Sequence, residues 1–316
     1  MSAADGIATP SAEVVIDKPL VRGLLEANGI DTSARTLAIL DEGWDNALFD
    51  LGPAKGDDPL AGRLVVRLPR RALAVPLLEA EQHWVPKLPA LPIPIPRPLF
   101  CGQPAAGYPW PFTLLPWLPG RASDLAPADD TQAPRYADFL AALHQPAPSE
   151  APENKVRGVP LAQRAEAFDD RWQRIAPDDV ETRAALEQVW QDALAAPDAT
   201  DRVWIHGDAH ARNLLVDQGR ISGVIDWGDL GAGDRATDMA AFWMHFHSAP
   251  ARQIARSRYA QRSPGVHAAD WQRAQGWALM FAAILIDTGR IDHPRHLAMG
   301  ERTLANLLAD LKLAAR

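Results

Sequence analysis

The sequence predicts an α+β chain in two lobes, an antiparallel sheet lobe with a helix followed by a mainly helical lobe. Three observations predict it. Short segments rich in apolar and branched residues, separated by Gly, Pro and Asp, fill the first third. Helical stripes take over beyond Gly120, and one small hairpin, NLLVDQG followed by RISGVIDWG, interrupts them. The division is expected near residue 118, giving lobes over 1–118 and 119–316, and a lobe junction offers a cleft of the kind that holds ligands.

After a polar, loose opening segment, DKPLVRGLLEANG reads as a helix with Asp17 as cap, Pro19 in the first turn and Gly29 as stop. RTLAILDEG, WDNALFDLG and GRLVVRLP read as antiparallel strands, with GPAKGDDPLAG as a hairpin loop between the last two. RALAVPLLEAEQHWVPKL keeps a helical stripe through Leu73, Leu77, Leu78 and Trp84, with Pro76 and Pro86 as points of kinking or early termination. The proline-dense LPALPIPIPRPLF must be extended, because proline fixes its own φ and restricts the residue before it. PFTLLPWLPG reads as a last strand leading into a connector. Three stripes then mark packed helices: Tyr136, Phe139, Leu140 and Leu143; Leu186, Val189, Trp190, Ala193 and Leu194; and Leu304, Leu307, Leu308 and Leu311. The hairpin is expected to turn at Asp217 to Gly219.

Composition narrows the class. At 316 residues, 47% hydrophobic and 23% charged, the chain can build one large or two smaller cores. A net charge of -8 gives no general attraction to nucleic acid or to an anionic membrane. Cys101 is the only cysteine, which excludes an intrachain disulfide and a cysteine zinc cage and favours a reducing compartment. The start lacks the basic and apolar regions of a secretory signal. WALMFAAILI, Trp277 to Ile286, is shorter than the roughly 20 residues a bilayer span needs and reads as a buried helix. A cytoplasmic protein that partners neither nucleic acid nor membrane is expected.

The stretch that carries chemistry is WIHGDAHARNLLV, Trp204 to Val216. His206, Gly207, Asp208 and Asn213 precede the hairpin, whose far end delivers Asp226. Phosphoryl transfer needs little covalent help, but it needs an oriented acceptor and divalent metal on the phosphate oxygens. One carboxylate and an Asn/Asp pair supply those functions. The pattern His-x-Asp, four residues, Asn, then Asp-x-Gly beyond a hairpin resembles the catalytic loop of the protein-kinase superfamily. With Gly after His, and with IDWGDLGAGDRATDMA, the chain is similar to the aminoglycoside phosphotransferase family of small-molecule kinases. The resemblance runs from about Asp41 to Met244 and includes DEGWDNALFDLG and LVVRLPRR.

The resemblance implies a bilobal protein-kinase-like fold and a Mg²⁺-dependent kinase using ATP or GTP. Asp208 would orient or deprotonate the acceptor hydroxyl, Asn213 and Asp226 would hold Mg²⁺, and His206 would tie the loop to the Asp226 segment. Glu81 would pair with the basic residue of the third strand, here Arg67 in place of the usual lysine, which keeps charge but changes geometry. The glycine-rich loop is reduced to Gly43, with backbone N–H groups near Asp45 and Asn46 as phosphate cover. No arginine precedes Asp208, and little chain separates Asp226 from Asp238, which leaves little room for a phosphorylatable activation segment or peptide platform and points to a small acceptor.

Competing readings are a metal-dependent phosphoesterase, which lacks its Gly-Asn-His triplet here, and a nucleotide-binding protein without turnover. The acceptor class implied is an aminoglycoside or another antibiotic such as a macrolide, with an unidentified metabolite as the alternative and antibiotic resistance as the associated role. Asp234 and Asp238 are read as structural, Asp234 capping a helix through RATDMAAFWMHF. Asp229 is open between structure and substrate binding. Trp243, His245 and His247 are read as core and cleft wall. Arg252, Arg256, Arg258 and Arg262 are either a solvated face or the sign of a less cationic acceptor.

Overall fold

The structure, a computed structural model, describes residues 10–54, 60–291 and 293–314. Its contacts divide the chain into two units, one of residues 10–88 with Ile95–Leu118, the other of Pro89–Pro94 with residues 119–314. The first nine residues of the opening segment, and residues 55–59 of the hairpin loop expected over 52–62, lie outside the described residues.

In the first unit, α1 (Lys18–Ala27) starts where Asp17 accepts the Leu20 N–H at 2.8 Å, with proline in the first turn. β1 (Leu37–Glu42), β2 (Asn46–Leu51) and β3 (Leu64–Pro69) then pair antiparallel in sequence order. Helix α2 (Val75–Trp84) is shorter than its stripe suggests. Pro76 is accommodated in its first turn, where no N–H is needed, and Pro86 falls in the 3₁₀ turn that follows it. β4 (Phe100–Gly102) and β5 (Phe112–Pro116) complete a sheet of order β1-β2-β3-β5-β4. β2 alternates buried and half-buried residues, whereas the central β3 is buried along nearly its whole length. Phe49, Val66, Phe112 and Leu114 of the sheet share one core with Val21, Leu24 and Leu25 of α1.

The proline-dense segment forms neither helix nor strand before β4 begins at Phe100, and Pro89–Pro94 belongs to the helical unit. The Val224 N–H donates to the Pro94 carbonyl at 3.0 Å, and Arg135 Nη2 donates to the Pro92 carbonyl at 3.2 Å. That unit continues with β6 (Arg121–Ala122), α3 (Ala133–Leu143), α4 (Ala165–Ile175) and α5 (Val180–Ala195). β7 (Val203–Ile205), β8 (Leu214–Asp217) and β9 (Arg220–Val224) follow, then β10 (Gly231–Gly233). β6, β8 and β9 form one small sheet and β10 with β7 another. The β8–β9 turn holds φ of +48° at Gln218 and +79° at Gly219, the left-handed pair that a two-residue hairpin requires.

The helix expected through RATDMAAFWMHF is two short helices, α6 (Ala236–Met239) and α7 (Ala241–His245). α8 (Ala249–Arg262), α9 (Ala268–Gly289) and α10 (Pro294–Ala314) finish the unit. Trp277 to Ile286 is the buried interior of α9, and among the described residues no helix is long and apolar enough to cross a membrane.

The arginines of α8 are bolts between helices. Arg252 is fully buried; it meets Asp310 of α10 through Nε and Nη2 and donates Nη1 to the Phe246 and His247 carbonyls. Arg258 and Arg262 share Asp138 of α3, and Arg256 lies over the rings of Trp243 and Trp271. Removing one partner of a buried ion pair strands the other without water. Arg252→Ala should therefore cost about 3–5 kcal/mol in urea unfolding; an unchanged midpoint would show that α8 and α10 are held by apolar packing alone.

Candidate active site

The loop around Asp208 starts where β7 ends. Gly207 has a φ of +82°, and a Cβ there would lie 2.5 Å from the Asp229 carbonyl oxygen, so the position admits only glycine. This explains sterically why no arginine stands before Asp208. The chain is fixed by Asp238 of α6, fully buried, whose Oδ2 accepts the His206 N–H at 2.6 Å and whose Oδ1 accepts the Gly207 N–H at 2.9 Å. His144 Nε2 adds a third donor at 3.3 Å, and its Nδ1 accepts from the Tyr259 hydroxyl. Asp238 thus secures a loop. Asp234 accepts the Ala236 N–H at 3.0 Å and pairs with Arg273 Nε at 2.7 Å.

His206 uses both ring nitrogens. Nε2 donates to the Ile225 carbonyl at 3.0 Å and Nδ1 accepts the Asp208 N–H at 3.2 Å, which ties the ring to the Asp226 segment and to the loop at once. Asn213 Nδ2 donates to the Asp208 carbonyl at 2.9 Å and to Asp208 Oδ2 at 3.3 Å. The Asn213 carbonyl accepts the Ile225 N–H at 2.9 Å, which brings the next residue, Asp226, beside the loop. Asp226 has a φ of +64°, an uncommon conformation outside glycine that aspartate tolerates better than most residues.

The Asp208 side chain is 22% exposed and therefore reachable, with Arg157 Nη2 at 3.5 Å and His210 Nε2 at 3.4 Å. Burial opposes its ionisation, but His210, Arg157, His206 and Asn213 together outweigh burial and hold the carboxyl below the usual range. Asp229 goes the other way: burial, then the charges of Asp208 and Asp226, push it up against the pull of Arg157 and Asn154. Asn154 Nδ2 donates to Asp229 Oδ1 at 2.6 Å. Two neighbouring carboxylates pushed apart in this way suit one as proton acceptor and the other as a protonated partner. Arg157 and Asn154 were not singled out from sequence, because both lie in an aperiodic loop.

In the sheet unit, Arg67 of β3 pairs with Glu81 of α2 through Nη1 at 2.9 Å, both side chains buried. With its amide oxygen toward the guanidinium, Asn46 accepts from Arg67 Nη2 at 3.1 Å and Nε at 3.3 Å. A planar fork can hold both partners at once, which a lysine ammonium at this position could not do in the same plane. The Gly43 N–H donates to the Asn46 carbonyl at 2.9 Å, and Arg70 Nη1 donates to the Gly43 carbonyl at 2.8 Å, closing the β1–β2 turn. Asp45 pairs with Arg71 at 2.7 Å.

Sheet, helices and loop together have the α+β fold of the protein-kinase-like phosphotransferases. The chain belongs to the phosphotransferase enzyme family, which it matches over residues 36–277. An aminoglycoside 3'-phosphotransferase of Escherichia coli is 34% identical over 109 residues, 34% of this chain and 40% of that protein, so the match spans less than half of the relative. Among solved structures, the GDP complex of aminoglycoside 2'-phosphotransferase-IIIa superposes with a TM-score of 0.66 at 17% identity, covering 92% of this chain and 99% of that one. The macrolide 2'-phosphotransferase MphH from Brachybacterium faecium gives 0.59 at 21%, covering 92% and 98%.

His245 of α7 lies behind the loop, 4% exposed, its ring 4.8 Å from that of Tyr136 and its Nδ1 without a hydrogen-bond partner. Burial, then His210, lowers its pKa from 6.5 to about 3. The folded state therefore refuses a proton that the unfolded chain takes, so stability falls as pH drops from 6.5 towards 3 and levels off below. Urea midpoints measured across that range should decline more steeply in the native protein than in His245→Phe; parallel curves would mean that His245 is not the titrating group.

Proposed function

We propose that the protein is a kinase-type phosphotransferase that moves the γ-phosphoryl group of ATP or GTP to a hydroxyl of a small molecule. The observation that carries it is the reachable, ionised Asp208 held by Asn213, in a chain that belongs to a phosphotransferase family. In this reading Asp208 accepts the proton of the acceptor hydroxyl. The hydroxyl oxygen forms its bond to the γ-phosphorus as the bond from that phosphorus to the bridging oxygen breaks, and the nucleoside diphosphate leaves.

Mg²⁺ fits the donors available. Asn213 spends its amide nitrogen on Asp208, and its amide oxygen, with the Asp226 carboxylate, is a hard ligand of the kind Mg²⁺ prefers. Among the described residues no three His, Cys, Asp or Glu side chains gather as a metal cage, which agrees with a pair of ligands completed by phosphate and water. Once bound there, the ion would neutralise phosphate charge. Arg67, held by Glu81 and Asn46, is the candidate nucleotide-phosphate contact, with Gly43 and the β1–β2 turn beside it.

The names of relatives suggest an antibiotic acceptor, an aminoglycoside or a macrolide, and with it a role in resistance; Asp229, beside Asp208, is the candidate acceptor-binding residue. A metabolite acceptor is the second reading, favoured by the guanidinium of Arg157 at Asp208. Mass spectrometry should detect phosphate addition, with ATP or GTP and Mg²⁺, to a member of a panel of aminoglycosides, macrolides and hydroxylated metabolites. Asp208→Ala should lose transfer while binding nucleotide as before, and Arg67→Ala should raise the nucleotide KM. Turnover by Asp208→Ala at the native rate would overturn the assignment.

A further inference from the structure

Guanidinium groups buried in this protein are matched almost everywhere. Arg252 has Asp310, Arg273 has Asp234 and Asp270, and Arg67 has Glu81. Three arginines near α9 break the pattern. Each of Arg157, Arg164 and Arg171 has a buried Nε without a hydrogen-bond partner. A buried N–H with no acceptor costs free energy comparable to a lost hydrogen bond, and more when the group is charged.

Their remaining contacts do not balance the charge. The side chain of Arg164, at the start of α4, makes no hydrogen bond or ion pair among the described residues. Arg171, two turns further along α4, donates Nη1 to the Ala167 carbonyl at 2.8 Å. Its nearest carboxylate oxygen, on Asp287, is 3.9 Å away, and Arg174 already grips both Asp287 oxygens at 2.9 and 2.6 Å. Arg157 reaches Asp208 only at 3.5 Å and lies 4.8 Å over the Phe281 ring. The three repel one another: burial first, then Arg157 and Arg171, lower the pKa of Arg164. Burial likewise lowers Arg171 against the pull of Asp287 and Asp170, with Arg174 and Arg157 adding to the effect of burial.

The loop that carries Arg157 is built rather than loose. Asn154 Oδ1 accepts the N–H groups of Val156 at 2.9 Å and Arg157 at 3.0 Å, while its amide nitrogen is fixed on Asp229. The Gly158 N–H donates to Thr237 Oγ1 at 3.0 Å, and the Gly158 carbonyl accepts the Asp234 N–H at 2.9 Å. Guanidinium groups held in place, desolvated and short of anions match the planar, paired oxygens of carboxylate and phosphate.

We propose that Arg157, Arg164 and Arg171 bind the anionic group, a carboxylate or a phosphate, of the molecule whose hydroxyl is presented to Asp208. The acceptor is then an anionic hydroxyl compound such as a hydroxy acid or a sugar phosphate, which selects the metabolite reading over a polycationic aminoglycoside. Naming the ligand as the acceptor rests on the phosphotransferase reading; the anion site itself does not.

The test titrates inorganic phosphate and, separately, acetate into the full chain by calorimetry, with and without Mg²⁺ and a non-hydrolysable ATP analogue. At least one anion should bind saturably, and still do so with the analogue present. Arg164→Gln should weaken that binding about tenfold or more, the loss of one charge-assisted hydrogen bond, without lowering the melting temperature, since it relieves like-charge repulsion. Arg171→Gln should do the same and replaces it should Arg164→Gln fail to fold. Phosphate binding without acetate binding identifies a phosphate ester, and binding of both admits a carboxylate. No saturable binding, equal affinity in the variants, or complete displacement by the analogue overturns the site. Failure of the analogue to bind would instead overturn the phosphotransferase reading and leave the anion result standing.

Discussion

The Asp238 carboxylate is the constraint on which the candidate site depends. A fully buried carboxylate survives only if its lone pairs are used, and here three donors use them: two successive backbone N–H groups of the Asp208 loop and His144. The contact joins a helix start to a strand end, so the position of Asp208 is set by the packing of α3, α6 and α8 through His144 and Tyr259. Gly207 is the other half of the device, because the carboxylate can reach both N–H groups only if the chain takes a left-handed turn there. Asp208 is thereby left reachable on a backbone that has little freedom.

Arginine is used in three different ways. At position 67 its fork holds Glu81 and Asn46 together, so a departure from the usual lysine is absorbed by a second partner on the neighbouring strand. In α8 and α9, Arg252 and Arg273 join helices and a strand end through ion pairs with Asp310 and Asp234. Arg157, Arg164 and Arg171 each keep a buried Nε with no acceptor, and the carboxylates nearest Arg157 and Arg171 stand at 3.5 and 3.9 Å, which is the pattern expected of groups kept for a ligand.

Long apolar stripes were legible from the sequence, because each is one face of a packed helix: Tyr136 to Leu143 in α3, Leu186 to Ala193 in α5, Leu304 and Leu307 in α10. The β8–β9 hairpin was legible from its turn residues. β6, β7 and β10 were not, since two or three residues are too few to show a period of two. Pro76 was read as a kink risk because its place relative to the helix start depends on where the 3₁₀ turn after β3, Ala72–Ala74, gives way to α2. The loop residues around Asp208 were found by spacing, but the role of Asp238, thirty residues on, depends on tertiary contact, and Arg157 carried no local signal. The α8 arginines were ambiguous for the same reason: their partners, Asp138 and Asp310, are remote in sequence.

Native-state hydrogen exchange at the His206 and Gly207 amides, compared between the native protein and Asp238→Asn, tests most directly whether this carboxylate holds the loop. Replacing the carboxylate by an amide weakens both hydrogen bonds, each worth about 1.5–3 kcal/mol when made to a charged group. Exchange at both amides should accelerate by about tenfold or more while helices remote from the loop stay protected. Unchanged protection at His206 and Gly207 would contradict the account and mean that the loop is fixed by other contacts.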